Sequence, residues 1–259
     1  MQSINEGDVL GASLAVSGLF VDVAGLSTIK GAIKGVKIFR KGLRIYRKLR
    51  GVLGGLRRAT QRGFKVTFDN LGGLIIEKGG KVIARSDDKV KKLLKALEKT
   101  LDAIYDTQRA VIDKYKGATV KGASRNAKGV FGEVATDVKF AENGFEALHI
   151  RKGQNGDLLD GWGDSGIDHV FKKDGKFYIV ESKYGTASLG NTLDGRQMSE
   201  EWISAGNFQR LRETVGNNIT NEMIAEGYVR VISKVAEDGT TLLKRLDEFG
   251  NEIGIFVFN

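Results

Sequence analysis

Alternation between apolar and polar side chains is clearest in the stretch GIDHVFKKDGKFYIVESKYG, residues 166–185. Its two short apolar runs flank Asp174 and Gly175, which predicts two β-strands joined by a turn. Successive side chains of a strand alternate between faces, so Glu181 and Lys183 should project to the same side. Both end an apolar run, where a charge without a partner costs several kcal/mol. The pair therefore needs a partner, a metal ion or a chemical task.

The pattern around this stretch predicts a complete layered domain. A helix should begin near Phe131 and carry Glu133 in its first turns. The remaining elements expected from periodicity are three strands, then a helix, then two strands, at 145–151, 166–172, 176–183, 196–215, 228–235 and 253–258. This order indicates an α/β (α+β) fold in which helices flank a mixed, restriction-endonuclease-like sheet.

The N-terminal half follows different patterns. Residues 64–85 predict short strands broken at two Gly-Gly pairs, and Ser86 should cap a long helix that stops before Gly117. The small, polar and glycine-rich segment 117–129 is expected to be a linker. We therefore expect two domains, a mainly helical one at 1–118 and a second at 119–259.

Charge is concentrated in one block. Residues 30–68 hold thirteen Lys or Arg and no acidic residue, which exceeds the net charge of +9 of the whole chain. They follow an apolar, glycine-rich segment at 9–26 that is borderline in length for a membrane span. A basic amphipathic helix after such a segment suits an anionic membrane surface or phosphate groups. A helical hairpin packed on itself with a solvated basic face remains equally open.

Composition excludes several kinds of chemistry. The chain has no cysteine, so it forms neither disulfides nor thiolate metal sites, and it has no cysteine nucleophile. Only His149 and His169 supply imidazole, which argues against a zinc site built from several histidines. We expect both to be packed or exposed side chains rather than ligands, because His169 should alternate away from Asp168 on its strand.

An acidic residue two positions before a lysine occurs four times in the chain, but only Glu181 and Lys183 end an apolar strand. Asp168 precedes Glu181 by thirteen residues, in the strand that should pair with it. Together with Glu133 in "FGEVATD" and Gln197 in "GRQMSEEWI", these residues resemble the PD-(D/E)XK nuclease superfamily. The resemblance covers about residues 120–215. It departs from the usual pattern in having Ile167 where many members have proline before the aspartate.

The resemblance implies a role for each of these residues. Asp168, Glu181 and Glu133 would hold a divalent cation, Mg²⁺ or Mn²⁺ before Zn²⁺, since hard oxygen ligands suit the first two. Lys183 would steady the attacking hydroxide and the charge of the transition state, and Gln197 would bind phosphate or water. The catalytic set is therefore Glu133, Asp168, Glu181, Lys183 and Gln197.

Plainer interpretations stand beside these roles. Asp168, Glu181 and Lys183 could form a structural ion pair, and Glu133 could be an acid favoured by the helix dipole. Gln197 could be a surface residue near a helix start. Two basic side chains on the following helix, Arg196 and Arg210, would meet nucleic-acid phosphate or simply form a solvated face.

The sequence around Gln197 is also similar to that of the nuclease modules at the C-termini of bacterial polymorphic toxins, such as those of contact-dependent inhibition. This resemblance implies a toxin that degrades DNA, or tRNA, during competition between bacteria. Residues 1–118 would deliver it, it would be exported and act in the target-cell cytoplasm, and a cognate immunity protein would protect the producer. Two alternatives remain open: a housekeeping repair or restriction nuclease, and a membrane-inserting protein that acts through residues 9–60.

Overall fold

The structure is a computed structural model. It describes the residue ranges 65–68, 74–85, 90–149, 157–158 and 166–258. The apolar segment 9–26 and most of the basic block lie outside these ranges, as do the expectations of membrane contact attached to them. No helix in the described ranges is long and apolar enough to cross a membrane. The chain divides into two compact units, Met1–Asp102 and Ala103–Asn259.

The described part of the first unit contains a three-stranded antiparallel sheet. Its strands follow one another in the order β1 (Lys65–Phe68), β2 (Leu74–Lys78) and β3 (Lys81–Arg85). Gly79 and Gly80 join the last two strands with φ of 57° and 78°, the left-handed backbone of a two-residue hairpin turn that glycine adopts without strain. The strands expected between 64 and 85 are thus confirmed.

The long amphipathic helix is confirmed as α1, Val90–Tyr115. The segment that follows it is not a linker, and that expectation was wrong. Two helices occupy it, α2 at Ala118–Gly122 and the start of α3 at Arg125–Glu142. Ser124 caps α3 by accepting a hydrogen bond from the main chain of Ala127 at 3.2 Å. Val120, on α2, is fully buried.

The second unit is built on a six-stranded sheet of order β11-β10-β9-β6-β5-β4. β6 and β9 are parallel and the other neighbours are antiparallel, so the mixed sheet flanked by helices is confirmed. The strands are β4 (Glu146–Ala147), β5 (His169–Lys173), β6 (Lys176–Tyr184), β9 (Tyr228–Val235), β10 (Thr241–Leu246) and β11 (Glu252–Ile255). A separate hairpin, β7 (Asn191–Thr192) and β8 (Gly195–Arg196), precedes α4 (Glu200–Val215) and α5 (Asn217–Glu226).

Helices cover both faces of the central strand β6. Phe177 and Ile179 belong to an apolar cluster with Trp202 and Ile203 of α4. On the other face, Val180 packs with Phe140 of α3 and its aromatic neighbours. A strand buried on both faces loses the clean apolar and polar alternation of a half-exposed strand, which is why "FYIV" is continuously apolar.

Four elements differ from the sequence-based expectation. Strand β10 and helix α5 were not expected; β10 buries only Leu243 and Leu246 among charged neighbours, so its apolar pattern is weak. The helix expected at 196–215 begins at Glu200 and is broken by non-helical backbone at 205–208. Strand β4 is only two residues long.

Candidate functional site

The register of β5 and β6 brings two predicted site residues together. His169 pairs with Val180 in this antiparallel ladder, which places Asp168, one residue earlier, opposite Glu181, one residue later. Side chains directly opposite in such a pair share a face. Asp168 and Glu181 therefore lie side by side at the end of β6, as their spacing predicted.

Glu181 is the most constrained group of the site. Its side chain is 2% exposed, and its Oε1 accepts hydrogen bonds from Lys183 Nζ at 2.8 Å and Gln197 Nε2 at 2.6 Å. Within the described residues, Oε2 is buried and receives no hydrogen bond. Burial, followed by the nearby charge of Asp168, raises the pKa of Glu181 to about 8, while Lys183 opposes this shift. The carboxyl group therefore favours a proton or a cation.

Asp168 is held towards β6 by the main chain. Its Oδ2 accepts a hydrogen bond from the amide of Ser182 at 2.9 Å, and the residue is half-buried. The side chain of Lys183 is 17% exposed, so the site borders solvent at the ammonium group. Two carboxylates, one ammonium group and one side-chain amide thus converge at a partly open edge.

Gln197 is held in place by crowded backbone on both sides. Its main-chain amide donates to Gly190 O at 2.8 Å, and its side-chain Oε1 accepts from Gly190 N at 3.4 Å. The next residue, Met198, is fully buried with a left-handed φ of 68°, a conformation that surrounding structure must enforce. A Cβ on Gly250 would lie 2.9 Å from Gln197 O. The amide therefore reaches Glu181 from a fixed support.

The two arginines predicted to bind nucleic acid have different environments. Arg196 is exposed at the end of β8. Arg210 donates to Asp194 Oδ2 at 2.5 Å and to Trp202 O at 2.7 Å, and its guanidinium carbon lies 4.5 Å from the centre of the Trp202 ring. Arg210 thus ties the β7–β8 turn to α4 beside Gln197. Contact of either arginine with nucleic acid stays a prediction.

Glu133 lies on α3, a buried position that is 8% exposed. Its neighbour Gly132 faces β6 so closely that an added Cβ would lie 3.9 Å from the Cβ of Ser182. The helix α3 packs on the face of β6 that carries Ser182, whereas Glu181 projects to the face covered by α4. The structure therefore does not bring Glu133 next to Glu181, and a metal-binding role for Glu133 stays a prediction.

Sequence reasoning missed a second cluster, on the α3 face of the sheet. Asp137, His149 and His169 lie there with ligand atoms within 4.8 Å of one another, an arrangement able to hold a metal ion. Both histidines are buried, with exposures of 5% and 1%, and the expectation that neither is a ligand stays a prediction. Antiparallel pairing of Ala147 with Phe171 places the two imidazoles opposite each other, so alternation along both strands was the available clue.

Burial sets the charge state of this cluster. Burial lowers the pKa of the His149 imidazole, and its contacts with Asp137 only partly oppose that shift. For Asp137, burial alone would raise the pKa, but the charge and hydrogen bonds of the imidazoles outweigh it and hold the pKa well below its usual range. The carboxylate of Asp137 is therefore ionised inside the protein.

A chain of hydroxyl groups lies on the α3 face of the sheet. Ser182 Oγ lies 2.7 Å from His169 Nε2 and donates to Thr136 Oγ1 at 2.8 Å, which in turn donates to Ser233 Oγ at 2.8 Å. The main-chain amide of Ser182 also donates to Asp168. The hydroxyl chain therefore holds Ser182, the residue between Glu181 and Lys183, from the α3 face.

Comparisons of this chain with protein-family models, curated proteins and solved structures found no match. The resemblance to PD-(D/E)XK nucleases therefore rests on the residues themselves.

Proposed function

We propose that this chain is a metal-dependent endonuclease that hydrolyses phosphodiester bonds, with DNA favoured over tRNA as substrate. The observation that carries the proposal is the convergence of Asp168, Glu181, Lys183 and Gln197 at one end of β6. Phosphodiester hydrolysis adds negative charge to a group that is already anionic, so it needs positive charge positioned around the phosphate. This edge of the sheet supplies an ammonium group and two carboxylates able to hold a cation.

The residues fit a divalent cation. Glu181 offers a buried oxygen without a hydrogen-bond donor in the described part of the chain, next to a second carboxylate. Ligands made of oxygen alone suit Mg²⁺ or Mn²⁺, with Zn²⁺ as the third choice. Asp168 and Glu181 would hold the ion. When bound, such an ion supplies a Lewis acid that polarises a phosphoryl oxygen and lowers the pKa of a water molecule.

The other two side chains would act directly on the substrate. The Lys183 ammonium, partly exposed beside Glu181, would stabilise the negative charge that grows on the phosphate oxygens. Gln197 carries no charge, and its rigidly held amide would donate to a phosphate oxygen or to the attacking water. Both groups already face the same carboxylate oxygen, so substrate binding needs little rearrangement of the protein.

Nuclease activity is tested with purified full-length chain, supercoiled DNA and total tRNA in parallel, with Mg²⁺, Mn²⁺ or chelator. We expect cleavage that requires the metal and is abolished by Glu181→Gln. The exposed Glu226→Gln, on α5, is the matched control and should cleave like the wild type. Undiminished cleavage by Glu181→Gln would reject the site, and no cleavage of either substrate by the wild type would reject the activity.

We further propose that the enzyme is an exported toxin of bacterial competition that acts in the target-cell cytoplasm. The support is the similarity of "GRQMSEEWI" to polymorphic-toxin nuclease modules. Such a producer needs a cognate immunity protein. Expression in a bacterial host should kill the cells unless a protein encoded beside the toxin is co-expressed. Healthy growth without a protector, with active nuclease present, would favour the housekeeping alternative.

A further inference from the structure

The cluster of Asp137, His149 and His169 has the dimensions of a metal-binding triangle. Asp137 Oδ1 lies 2.8 Å from His149 Nε2 and 3.0 Å from His169 Nδ1, and the two nitrogens are 3.2 Å apart. Zinc binds imidazole nitrogen and carboxylate oxygen at about 2.0–2.1 Å, so an ion at that distance from all three atoms would sit about 1 Å outside their plane. No side chain has to move far to accept it.

The second polar atom of every candidate ligand has its own partner. Asp137 Oδ2 accepts from Gln108 Nε2 at 2.8 Å, His149 Nδ1 lies 3.1 Å from Val170 O, and His169 Nε2 lies 2.7 Å from Ser182 Oγ. Metal-binding histidines usually donate their other ring N–H to a carbonyl or hydroxyl oxygen, which orients the ring and strengthens the ligand. His169 fits this pattern, because the Ser182 hydroxyl donates its own proton to Thr136 and can accept from His169 Nε2. His149 Nδ1 lies 3.1 Å from both the carbonyl oxygen and the amide nitrogen of Val170, which together fix the orientation of its ring.

The charge of the cluster points the same way. Asp137 is 1% exposed, and in the described part of the chain its ion-pair partners are the two imidazoles alone. The ring of Phe171 packs against both imidazoles, with its centre 5.1 Å from the centre of the His149 ring and 5.6 Å from that of His169. A buried carboxylate needs a partner of opposite charge, and a cation held by these three ligand atoms would be such a partner.

We propose that Asp137, His149 and His169 form a second, buried binding site for a borderline transition-metal ion of the Zn²⁺ class, separate from the carboxylate site at Asp168 and Glu181. Imidazole ligands suit such ions better than Mg²⁺, which prefers oxygen. The ion would join α3 to the chain segments at the ends of β4 and β5. Since the ligands are buried, the site fills as the protein folds and its binding energy stabilises the fold.

The test uses full-length protein that is unfolded in urea with chelator, then refolded with or without Zn²⁺ and freed of unbound metal by gel filtration. We expect about one tightly held zinc ion per chain and a higher Tm in the zinc-refolded sample. Glu181→Gln should retain this ion, because the carboxylate site is not involved. Asp137→Asn, which keeps the size of the side chain, should lose it.

X-ray absorption of the zinc-loaded wild type gives a readout that needs no variant. The proposal expects two imidazole nitrogens and carboxylate oxygen around the ion. An oxygen-only environment, or loss of the ion in Glu181→Gln, would place the metal at the other site and overturn the proposal. Folded wild type that retains no zinc would show that the cluster is a hydrogen-bonded network. None of these results depends on nuclease activity, so the two proposals can fail separately.

Discussion

Replacing Glu181 by glutamine should remove a large pH dependence from the stability of the metal-free protein. The pKa of this carboxyl group is raised in the folded protein from 4.5 to about 8, first by burial and then by the charge of Asp168. Glutamine keeps an oxygen that accepts from Lys183 and Gln197, and it stays neutral at every pH. The variant therefore imitates protonated Glu181 throughout.

The sign of the effect follows from proton binding. Between pH 4.5 and about 8 the unfolded chain loses the proton of Glu181 while the folded protein keeps it. The stabilisation is fully present below pH 4.5 and is lost as pH rises, by up to about 1.4 kcal/mol per pH unit. Over the whole interval the shift in the pKa of this buried group corresponds to about 5 kcal/mol of stability.

Urea unfolding in the presence of chelator measures this difference at a series of pH values. Trp202 is 4% exposed on α4, in the unit that contains the site, so its fluorescence follows the unfolding of that unit. Subtracting the wild-type free energy of unfolding from that of Glu181→Gln cancels groups that titrate alike in both proteins. The difference should grow with pH and level off above about 8. A constant difference would refute the argument that burial keeps Glu181 protonated.

Three further outcomes follow from the same contacts. Lys183→Met should abolish cleavage and raise the pKa of the buried carboxyl further, so that Mn²⁺ binding measured by calorimetry at pH 7 weakens. Gly250→Ala should lower the free energy of unfolding in urea by about 1–3 kcal/mol and disturb Gln197, because Gly250 has a φ of +78° and an added Cβ would crowd the backbone. Gly144→Ala, at a φ of +75° in open space, should cost less. Thr136→Val should cost about 1–3 kcal/mol by removing a hydrogen-bond partner from the half-buried Ser182 hydroxyl and from the fully buried Ser233 hydroxyl. An unchanged unfolding midpoint would count against the hydroxyl chain.

Local periodicity was enough to predict that Asp168, Glu181 and Lys183 lie together at the end of β6. Alternation with period two places Glu181 and Lys183 on one face, and the tight turn at Asp174 and Gly175 aligns β5 with β6 so that Asp168 falls opposite Glu181. Every step uses neighbours in a single hairpin. Gln197 lies outside this hairpin, and its place beside Glu181 was predicted by the resemblance rather than by periodicity.

The remaining features depend on contacts between distant segments, which periodicity does not encode. The histidine cluster needs α3, the end of β4 and the start of β5 to meet, and β4 has too short an apolar pattern to show its partner. The segment 117–129 was mistaken for a linker because glycine and polar residues dominate its composition, although Ser124 is a good helix cap. The break in α4 at 205–208 lies at Gly206 and Asn207, residues that tolerate left-handed backbone.

The two proposed metal sites lie on opposite faces of the sheet, because the side chains of a strand alternate between its faces. On the α4 face β6 presents Glu181 and the partly exposed Lys183, so an ion held there as proposed would be able to meet a substrate. On the α3 face Ser182 contacts the imidazole of His169, which is 1% exposed. Ser182 belongs to both, since its hydroxyl binds His169 while its amide holds Asp168. The buried cluster therefore supports the position of the carboxylates without taking part in their chemistry.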